Sequence, residues 1–89
     1  MAALRLKITI PAGYYNIINA WVENPEEFKS EAQIRKNVHG GSVYMHIHRM
    51  VSQNLLEEEA FHTGRYRPTD QGWLAHHDYQ AYYGVIESE

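Results

Sequence analysis

Two arginines separated by a single residue stand in "HTGRYRPTDQGW", residues 62–73. Because alternate residues of a strand lie on one face, Arg65 and Arg67 are expected to project together. A guanidinium group binds phosphate or carboxylate through charge-assisted hydrogen bonds. One interpretation is therefore contact with the phosphate backbone of a nucleic acid. The other is cross-strand pairing inside the protein with the acidic run that precedes them, Glu57, Glu58 and Glu59.

Six histidines raise the question of a metal site. His46 and His48 are two residues apart and His76 and His77 are adjacent, so on a helix the rings of each pair point to different sides. A helical zinc pair needs a spacing of about three or four residues and a nearby carboxylate. We therefore expect no metal and no cofactor. Protonation of all six would move the net charge from −3 to about +3, which is expected to strengthen binding to an anion in acid.

The signatures of catalysis are missing from the sequence. The chain has no cysteine, which excludes a thiol nucleophile and a thiolate metal site. It also has no glycine-rich phosphate loop, no nucleophile in a recognisable setting and no carboxylate pair with an obvious spacing. The protein is therefore not expected to be an enzyme.

Composition fits one small globular domain over residues 1–89, with 44% hydrophobic and 21% charged residues. Residues 28–67 carry six basic and four acidic side chains, whereas residues 68–89 carry four acidic and no basic ones. This asymmetry weakly favours an anionic partner for the middle of the chain. No stretch reaches the roughly 18 apolar residues of a membrane span, and the N-terminus lacks the apolar core of about 7–15 residues of a signal peptide. A cytoplasmic protein is expected.

Hydrophobic periodicity predicts the elements of the N-terminal half. In "LRLKITI", apolar and polar residues alternate, which predicts an N-terminal strand within residues 1–11. A first helix follows and ends at Asn24-Pro25. A second helix is predicted over residues 31–38 from a capping box of Ser30 and Gln33, with Pro25 as an alternative start. The apolar face of the first helix consists of Tyr14, Ile17, Ile18, Trp21 and Val22.

A third helix and a hairpin are predicted next. The helix ends at Asn54, a residue that tolerates the left-handed conformation of a helix end. Strands over residues 55–61 and 65–68 follow, and a tip at Thr63-Gly64 would place Phe61 opposite Tyr66. The inward stripe of the third helix is expected to be Val43, Ile47, Met50 and Val51.

The last predicted helix covers residues 69–84 and is unusually aromatic. Thr69 caps it, Asp70 favours its positive end, and Gly84 followed by Val85 ends it. The side chains expected to pack on the domain are Trp73, Leu74, His77, Ala81 and Val85. A second patch is left on the helix, formed by Tyr79, Tyr82, Tyr83 and Ile86.

This order of elements resembles the winged helix-turn-helix domain of bacterial transcription regulators. The resemblance covers roughly residues 14–83, with helices 1–3 over residues 12–54 and a wing hairpin over residues 55–68. "SVYMHIHRMVSQNLLEEE" is similar to the recognition helix of that family, and "GRYRPTDQG" is similar to the passage from wing to last helix in regulators of the MarR and PadR type. Two departures are the additional N-terminal strand and a recognition helix that is poor in Lys and Arg. The fold class implied is α+β, with a three-helix core, a two-stranded wing, an extra N-terminal strand and a C-terminal helix.

The resemblance implies a regulator that binds double-stranded DNA, with the third helix in the major groove and the wing on the phosphate backbone. Arg49 would bind guanine, Ser42 would bond phosphate, and Tyr44 and Met45 would touch thymine methyl groups. The bland alternative is a solvated helix with one aromatic residue in a subunit contact. The predicted DNA-binding residues are Ser42, Tyr44, Met45, His48, Arg49, Arg65 and Arg67.

Flanking helices join two subunits in the resembled regulators, so a homodimer is expected through the exposed aromatic residues Tyr79, Tyr82 and Tyr83. The main alternative function is a winged-helix module that binds protein as an adapter or anti-repressor, without DNA. A more distant alternative is a protein that binds RNA or a single strand through stacked aromatic residues. The acidic pI and the aromatic surface favour the protein-binding module.

Overall fold

The computed structural model describes residues 10–38 and 42–83, which form an α+β arrangement of four α-helices and a three-stranded antiparallel sheet. The predicted strand within residues 1–11 lies almost wholly outside the described residues, as does the predicted stop at Gly84 and Val85. In chain order the elements are α1 (Ala12–Ile18), a 3-10 turn (Asn19–Trp21), β1 (Lys29–Ser30), α2 (Glu31–Arg35), α3 (Val43–Ser52), β2 (Leu56–Glu58), β3 (Arg65–Pro68) and α4 (Asp70–Tyr83).

Helix α1 buries the apolar face that its periodicity predicts, with one exception. Tyr14, Ile17, Ile18 and Trp21 are buried, whereas Val22 is 56% exposed. The reason is that α1 tightens into a 3-10 turn before Val22, and the 3-10 geometry of three residues per turn rotates the following side chain away from the α-helical stripe. The indole Nε1 of Trp21 donates a hydrogen bond to the carbonyl oxygen of Glu27 at 2.8 Å, which holds the next loop against the helix.

Strand β1 and helix α2 follow this loop. The predicted capping box is confirmed, because the Ser30 hydroxyl accepts from the Gln33 amide at 3.3 Å and the Gln33 side chain accepts from the Ser30 amide at 2.8 Å. Helix α2 therefore begins at Glu31, capped by Ser30, and not at Pro25, and it ends at Arg35, earlier than the predicted residue 38. The two residues of β1 were not predicted, since a strand this short has no periodicity to detect.

Helix α3 matches its prediction closely. Val43, Ile47 and Met50 are buried and Val51 is partly buried, as the spacing predicts. The helix is closed by Asn54, whose φ of 64° is left-handed, and by a hydrogen bond from the Leu55 amide to the Met50 carbonyl at 2.8 Å. The chain then passes directly into β2.

The sheet has the strand order β1-β3-β2, with both pairings antiparallel. Glu58 lies opposite Tyr66, so the prediction that Phe61 faces Tyr66 is wrong. The predicted tip at Thr63-Gly64 is also wrong, because the loop spans residues 59–64 and takes its positive φ angles at His62 and Gly64. A tight two-residue turn of type I′ would need positive φ at Thr63, which a β-branched residue adopts with difficulty.

Helix α4 begins as predicted and packs on a different face. The Thr69 hydroxyl accepts from the Gly72 amide at 3.0 Å and donates to the Asn54 carbonyl at 2.6 Å, so the cap also ties α4 to the end of α3. The buried positions are Gly72, Ala75, His76 and Asp78. The predicted inward set fails within the described residues, because Trp73 is only partly buried and Leu74, His77 and Ala81 are exposed.

Gly72, near the start of α4, explains why the helix packs on a face other than the predicted one. A Cβ atom placed on Gly72 would lie within van der Waals overlap of the Leu55 carbonyl oxygen, at 2.1 Å. The backbone of α4 therefore runs directly against the chain where α3 leads into β2. Only glycine at this position allows that approach.

Candidate nucleic-acid interface

The predicted outward face of α3 is exposed along its whole length. Ser42, Tyr44, Met45, His48 and Arg49 are all exposed, with Tyr44 at 55% and Met45 at 52%. The Tyr44 and His48 rings, one helical turn apart, lie 4.3 Å from each other between centroids. We call these five residues the α3 face. The inward stripe of α3 fixes the orientation of this face, because Val43, Ile47 and Met50 are held in the core.

Two polar groups of the α3 face are available for ligands. The Ser42 side chain makes no capping hydrogen bond to its own helix. Among residues 10–38 and 42–83, Arg49 and Lys36 are the basic side chains without a carboxylate partner. The ion-paired basic side chains of the same ranges are Lys29, Arg35, Arg65 and Arg67. Arg49, at the C-terminal end of the α3 face, thus has no carboxylate partner among the described residues.

The wing arginines are engaged by glutamates, as the alternative interpretation of the sequence expects. Arg65 pairs with Glu59 and donates from Nε to its carboxylate at 2.6 Å. Arg67 donates from Nε to the Glu57 carboxylate at 2.8 Å. Both pairs run across the hairpin, so they neutralise charge on the wing and reinforce the pairing of β2 with β3.

Arg67 is tied more tightly than Arg65. Its Nη1 also donates to the Glu26 carbonyl at 3.1 Å and to the Glu26 carboxylate at 3.2 Å, and its guanidinium carbon lies 4.4 Å from the centre of the Phe28 ring. The hydrogen bond to Glu57 is the largest cause of a raised pKa for Arg67. Arg67 therefore joins the wing to the loop before β1, whereas the Arg65 side chain is 51% exposed and held by Glu59 alone.

Tyr66 lies in β3, the central strand of the sheet. The side chain of Tyr66, between the two arginines on β3, is buried. Burial is the largest cause of its raised pKa, followed by the charges of Glu58 and Glu31 and by Tyr44. Tyr66 pairs with Lys29 of β1 on one side and with Glu58 of β2 on the other.

An aromatic stack joins α1 to α4. Tyr15 stacks on His76 with 4.5 Å between ring centres and on Tyr79 with 4.3 Å. His76 Nε2 lies 2.6 Å from the Asn19 side-chain oxygen. Burial, and then the neighbouring His77, lower the pKa of His76. His76 therefore takes up a proton at a lower pH than an exposed histidine does. No sequence signal pairs it with Asn19.

The stack also changes the predicted subunit contact. Tyr79 is partly buried against the core and Tyr15 covers one side of its ring. Tyr82 and Tyr83 remain exposed, at 58% and 55%. The aromatic surface at this end of α4 is thus smaller than the predicted patch of Tyr79, Tyr82, Tyr83 and Ile86, the last of which lies outside the described residues.

Among the described parts of the chain, no three histidine, aspartate or glutamate side chains come together to hold a metal ion. Within those parts, every helix is too short or too polar to cross a membrane. No known family model, curated protein or solved structure matches the chain.

Proposed function

We propose that the protein is a winged helix-turn-helix transcription regulator that binds double-stranded DNA sequence-specifically, with α3 in the major groove. The element order α1, β1, α2, α3, β2, β3, α4 and the sheet order β1-β3-β2 are compatible with a winged-helix arrangement. In this proposal α2 and α3 form the helix-turn-helix and the hairpin of β2 and β3 is the wing.

The observation that carries the proposal is the unpaired Arg49 on the α3 face. An arginine that is already bonded to a carboxylate must lose that bond before it can read a base. Arg49 has no such partner among the described residues, and its two parallel donors match the O6 and N7 acceptors of guanine. Tyr44 and Met45 beside it supply apolar contact for thymine methyl groups, and the Ser42 hydroxyl supplies a phosphate donor.

The wing contributes through Arg65 more than through Arg67. A guanidinium has five N–H donors, and the contacts of Arg65 to Glu59 use only Nε and Nη2. The side chain is 51% exposed, which leaves its remaining donors available to a phosphate oxygen. Arg67 is used by Glu57, Glu26 and the Phe28 ring, so its role in the proposal is to fix the wing.

A homodimer remains part of the proposal, with a corrected contact. Tyr82 and Tyr83 at the exposed end of α4 are the aromatic residues that a second subunit would cover, and aromatic residues are enriched at interfaces. The Tyr79 ring packs against that of Tyr83, with 4.5 Å between the ring centroids. Two-fold symmetry of the protein would be mirrored by a palindromic operator.

The test is a binding selection from random double-stranded DNA at low salt. Recovery of one palindromic motif is the expected result. Arg49→Ala should then weaken binding to that motif by about 1–3 kcal/mol and relax the preference at one base pair. Arg35→Ala is the matched control, because Arg35 is exposed and already ion-paired with Glu31 on α2. Equal binding by Arg49→Ala and the wild type would contradict the proposal.

A second candidate is a winged-helix module that binds protein, as an adapter or anti-repressor. The specific observation in its favour is that Glu57 and Glu59 neutralise both wing arginines, which weakens the attraction of the wing for phosphate. In that case Tyr44 is the expected anchor, because tyrosine is a frequent hot spot of protein interfaces. Failure to select any duplex would favour this candidate.

A further inference from the structure

The two methionines that the structure describes differ sharply in their access to solvent. Met45, on the α3 face, is 52% exposed, whereas Met50 on the same helix is fully buried. The third methionine of the chain, Met1, lies outside the described residues. The chain has no cysteine, which leaves methionine as the side chain that mild peroxide oxidises. Of the methionines in residues 10–38 and 42–83, Met45 is therefore the one that an oxidant can reach.

Arg49 lies one turn after Met45 on the exposed side of α3. Both belong to the helix Val43–Ser52, and residues four apart on an α-helix have Cβ atoms about 5–6 Å from each other. Each Cα–Cβ bond of a helix tilts toward the N-terminus, so the Arg49 side chain leads back over the turn that carries Met45. Its guanidinium has no carboxylate partner within the described residues. The end of the Met45 side chain is therefore within reach of the Arg49 donors.

Oxidation changes what Met45 offers to that guanidinium. A thioether sulfur is a weak hydrogen-bond acceptor, so reduced Met45 does not compete for the donors of Arg49. With hydrogen peroxide, the sulfur lone pair attacks one peroxide oxygen, the O–O bond breaks, and the other oxygen leaves as water with both peroxide protons. The sulfur loses two electrons and the peroxide gains them. The product is a polar sulfoxide, whose oxygen accepts hydrogen bonds beside a cation that has none from a carboxylate.

We infer that Met45 is a site of reversible oxidation by peroxide, and that its sulfoxide turns off the α3 face by binding Arg49. The inference rests on the proposed function. The sulfoxide oxygen accepts from the Arg49 guanidinium, which removes those donors from guanine. The sulfoxide also replaces the apolar contact of Met45 with a thymine methyl group by a polar one. Methionine sulfoxide reductases return the thioether, so the change is reversible.

The first measurement locates the oxidation and needs no DNA. The folded protein is treated with hydrogen peroxide and digested, and the sulfoxide at each methionine is followed over time by mass spectrometry. The Met45 sulfoxide should form faster than the Met50 sulfoxide by a factor of roughly 10 or more, because exposure controls the reaction. Thermal unfolding of the singly oxidised protein should match that of the untreated protein, since Met45 lies outside the core. Equal rates at the two residues would overturn the inference.

The second measurement is binding of the selected duplex by the oxidised protein. Affinity should fall roughly 10-fold, as expected for a polar group that is buried without a full set of hydrogen bonds. It should return after treatment with a methionine sulfoxide reductase. Met45→Gln places a polar acceptor of similar length at the same position, so this variant should bind as weakly as the oxidised wild type without any treatment.

Met45→Leu is the matched control. Leucine keeps the apolar character and nearly the volume of methionine, so the untreated variant should bind the duplex as the wild type does. It should lose its sensitivity to peroxide, although Met1 and Met50 are unchanged in it. A loss of affinity that persists in peroxide-treated Met45→Leu would assign the effect to another residue and overturn the inference.

The role of Arg49 is tested by combining its replacement with oxidation. Oxidation should weaken binding by Arg49→Ala much less than binding by the wild type, because the guanidinium that the sulfoxide binds is already missing. Equal fold-losses in the two proteins would overturn the capture of Arg49.

The outcomes separate this inference from the proposed function. A wild type that is oxidised at Met45 and binds the duplex with unchanged affinity overturns the inference and leaves the regulator intact. An untreated wild type that binds no duplex overturns both.

Discussion

Replacement of Gly72 by alanine tests how α4 is docked. The added Cβ atom would lie 2.1 Å from the Leu55 carbonyl oxygen and 3.1 Å from its carbonyl carbon. These are backbone atoms, so no rotamer change relieves the overlap. Helix α4 and the backbone at Leu55 must move apart by about 1 Å. This movement strains the hydrogen bonds from the Thr69 amide to the Leu55 carbonyl at 3.1 Å and from the Thr69 hydroxyl to the Asn54 carbonyl at 2.6 Å.

The magnitude follows from two opposing effects. Overpacking in a close contact costs typically 1–3 kcal/mol and occasionally more, and loss of the helix cap adds about 1 kcal/mol. The higher helix propensity of alanine than of glycine offsets up to about 1 kcal/mol of this loss. With the propensity term taken in full, we expect a net loss of about 1–3 kcal/mol in the free energy of unfolding. For a domain of this size each kcal/mol lowers Tm by about 4–8 °C.

Gly13→Ala is the matched control for this prediction. A Cβ on Gly13 would also meet a close neighbour, the Nε2 atom of His46 at 2.8 Å. That neighbour is the end of a side chain and can move, so the loss should be much smaller. Thermal and urea unfolding measure both variants. A Gly72→Ala protein as stable as the wild type would refute the docking of α4 on Leu55 and with it the observed rotation of the helix.

The remaining predictions concern acidity, the wing and assembly. Burial lowers the pKa of folded His76, so the unfolded chain takes up the proton first and the free energy of unfolding should fall as pH drops below about 6.5. A His76→Gln variant should lose part of this pH dependence when urea unfolding is measured from pH 8 to 5. An unchanged dependence would contradict the burial of His76. Arg67→Ala should lower Tm, whereas Arg65→Ala should leave Tm nearly unchanged. Arg65→Ala should also make the slope of log K against log[salt] for DNA binding shallower by up to about 0.9. The reverse pattern would show that the roles of the two arginines are misassigned. A double Tyr82→Glu and Tyr83→Glu change should give folded monomers in sedimentation, and a monomeric wild type would remove the dimer.

Several local features of this chain could be predicted from the sequence. The Ser30 and Gln33 capping box, the inward stripe of α3, the left-handed Asn54 and the Thr69 cap were all predicted and are confirmed. Each depends on residues within about four positions of one another. Exposure of the α3 face follows from the same stripe, because residues on the opposite side of a helix must face away from the core.

The strands of the wing could be predicted from the sequence, but their register could not. Its two strands and the alternation of Arg65 and Arg67 follow from local pattern, and the acidic run on the partner strand was recognised as an alternative partner. The register was not predictable, because it depends on where positive φ is accommodated in the loop and on which glutamate lies opposite Tyr66. The additional hold of Glu26 on Arg67 joins residues 41 positions apart, a distance at which the sequence carries no signal.

The sequence by itself determined the caps at Ser30 and Thr69, the left-handed Asn54 after α3 and the side of α3 that faces outward. Hydrogen-bond caps and apolar stripes act over a single turn, so neighbouring residues are enough to specify them. Only the tertiary structure decided the existence of β1, the register of the wing and the rotation of α4. Strand β1 exists through its pairing with β3. Helix α4 carries aromatic residues on every side, so its own pattern selects no face. Its orientation is set by the one position, Gly72, at which the helix backbone can meet Leu55.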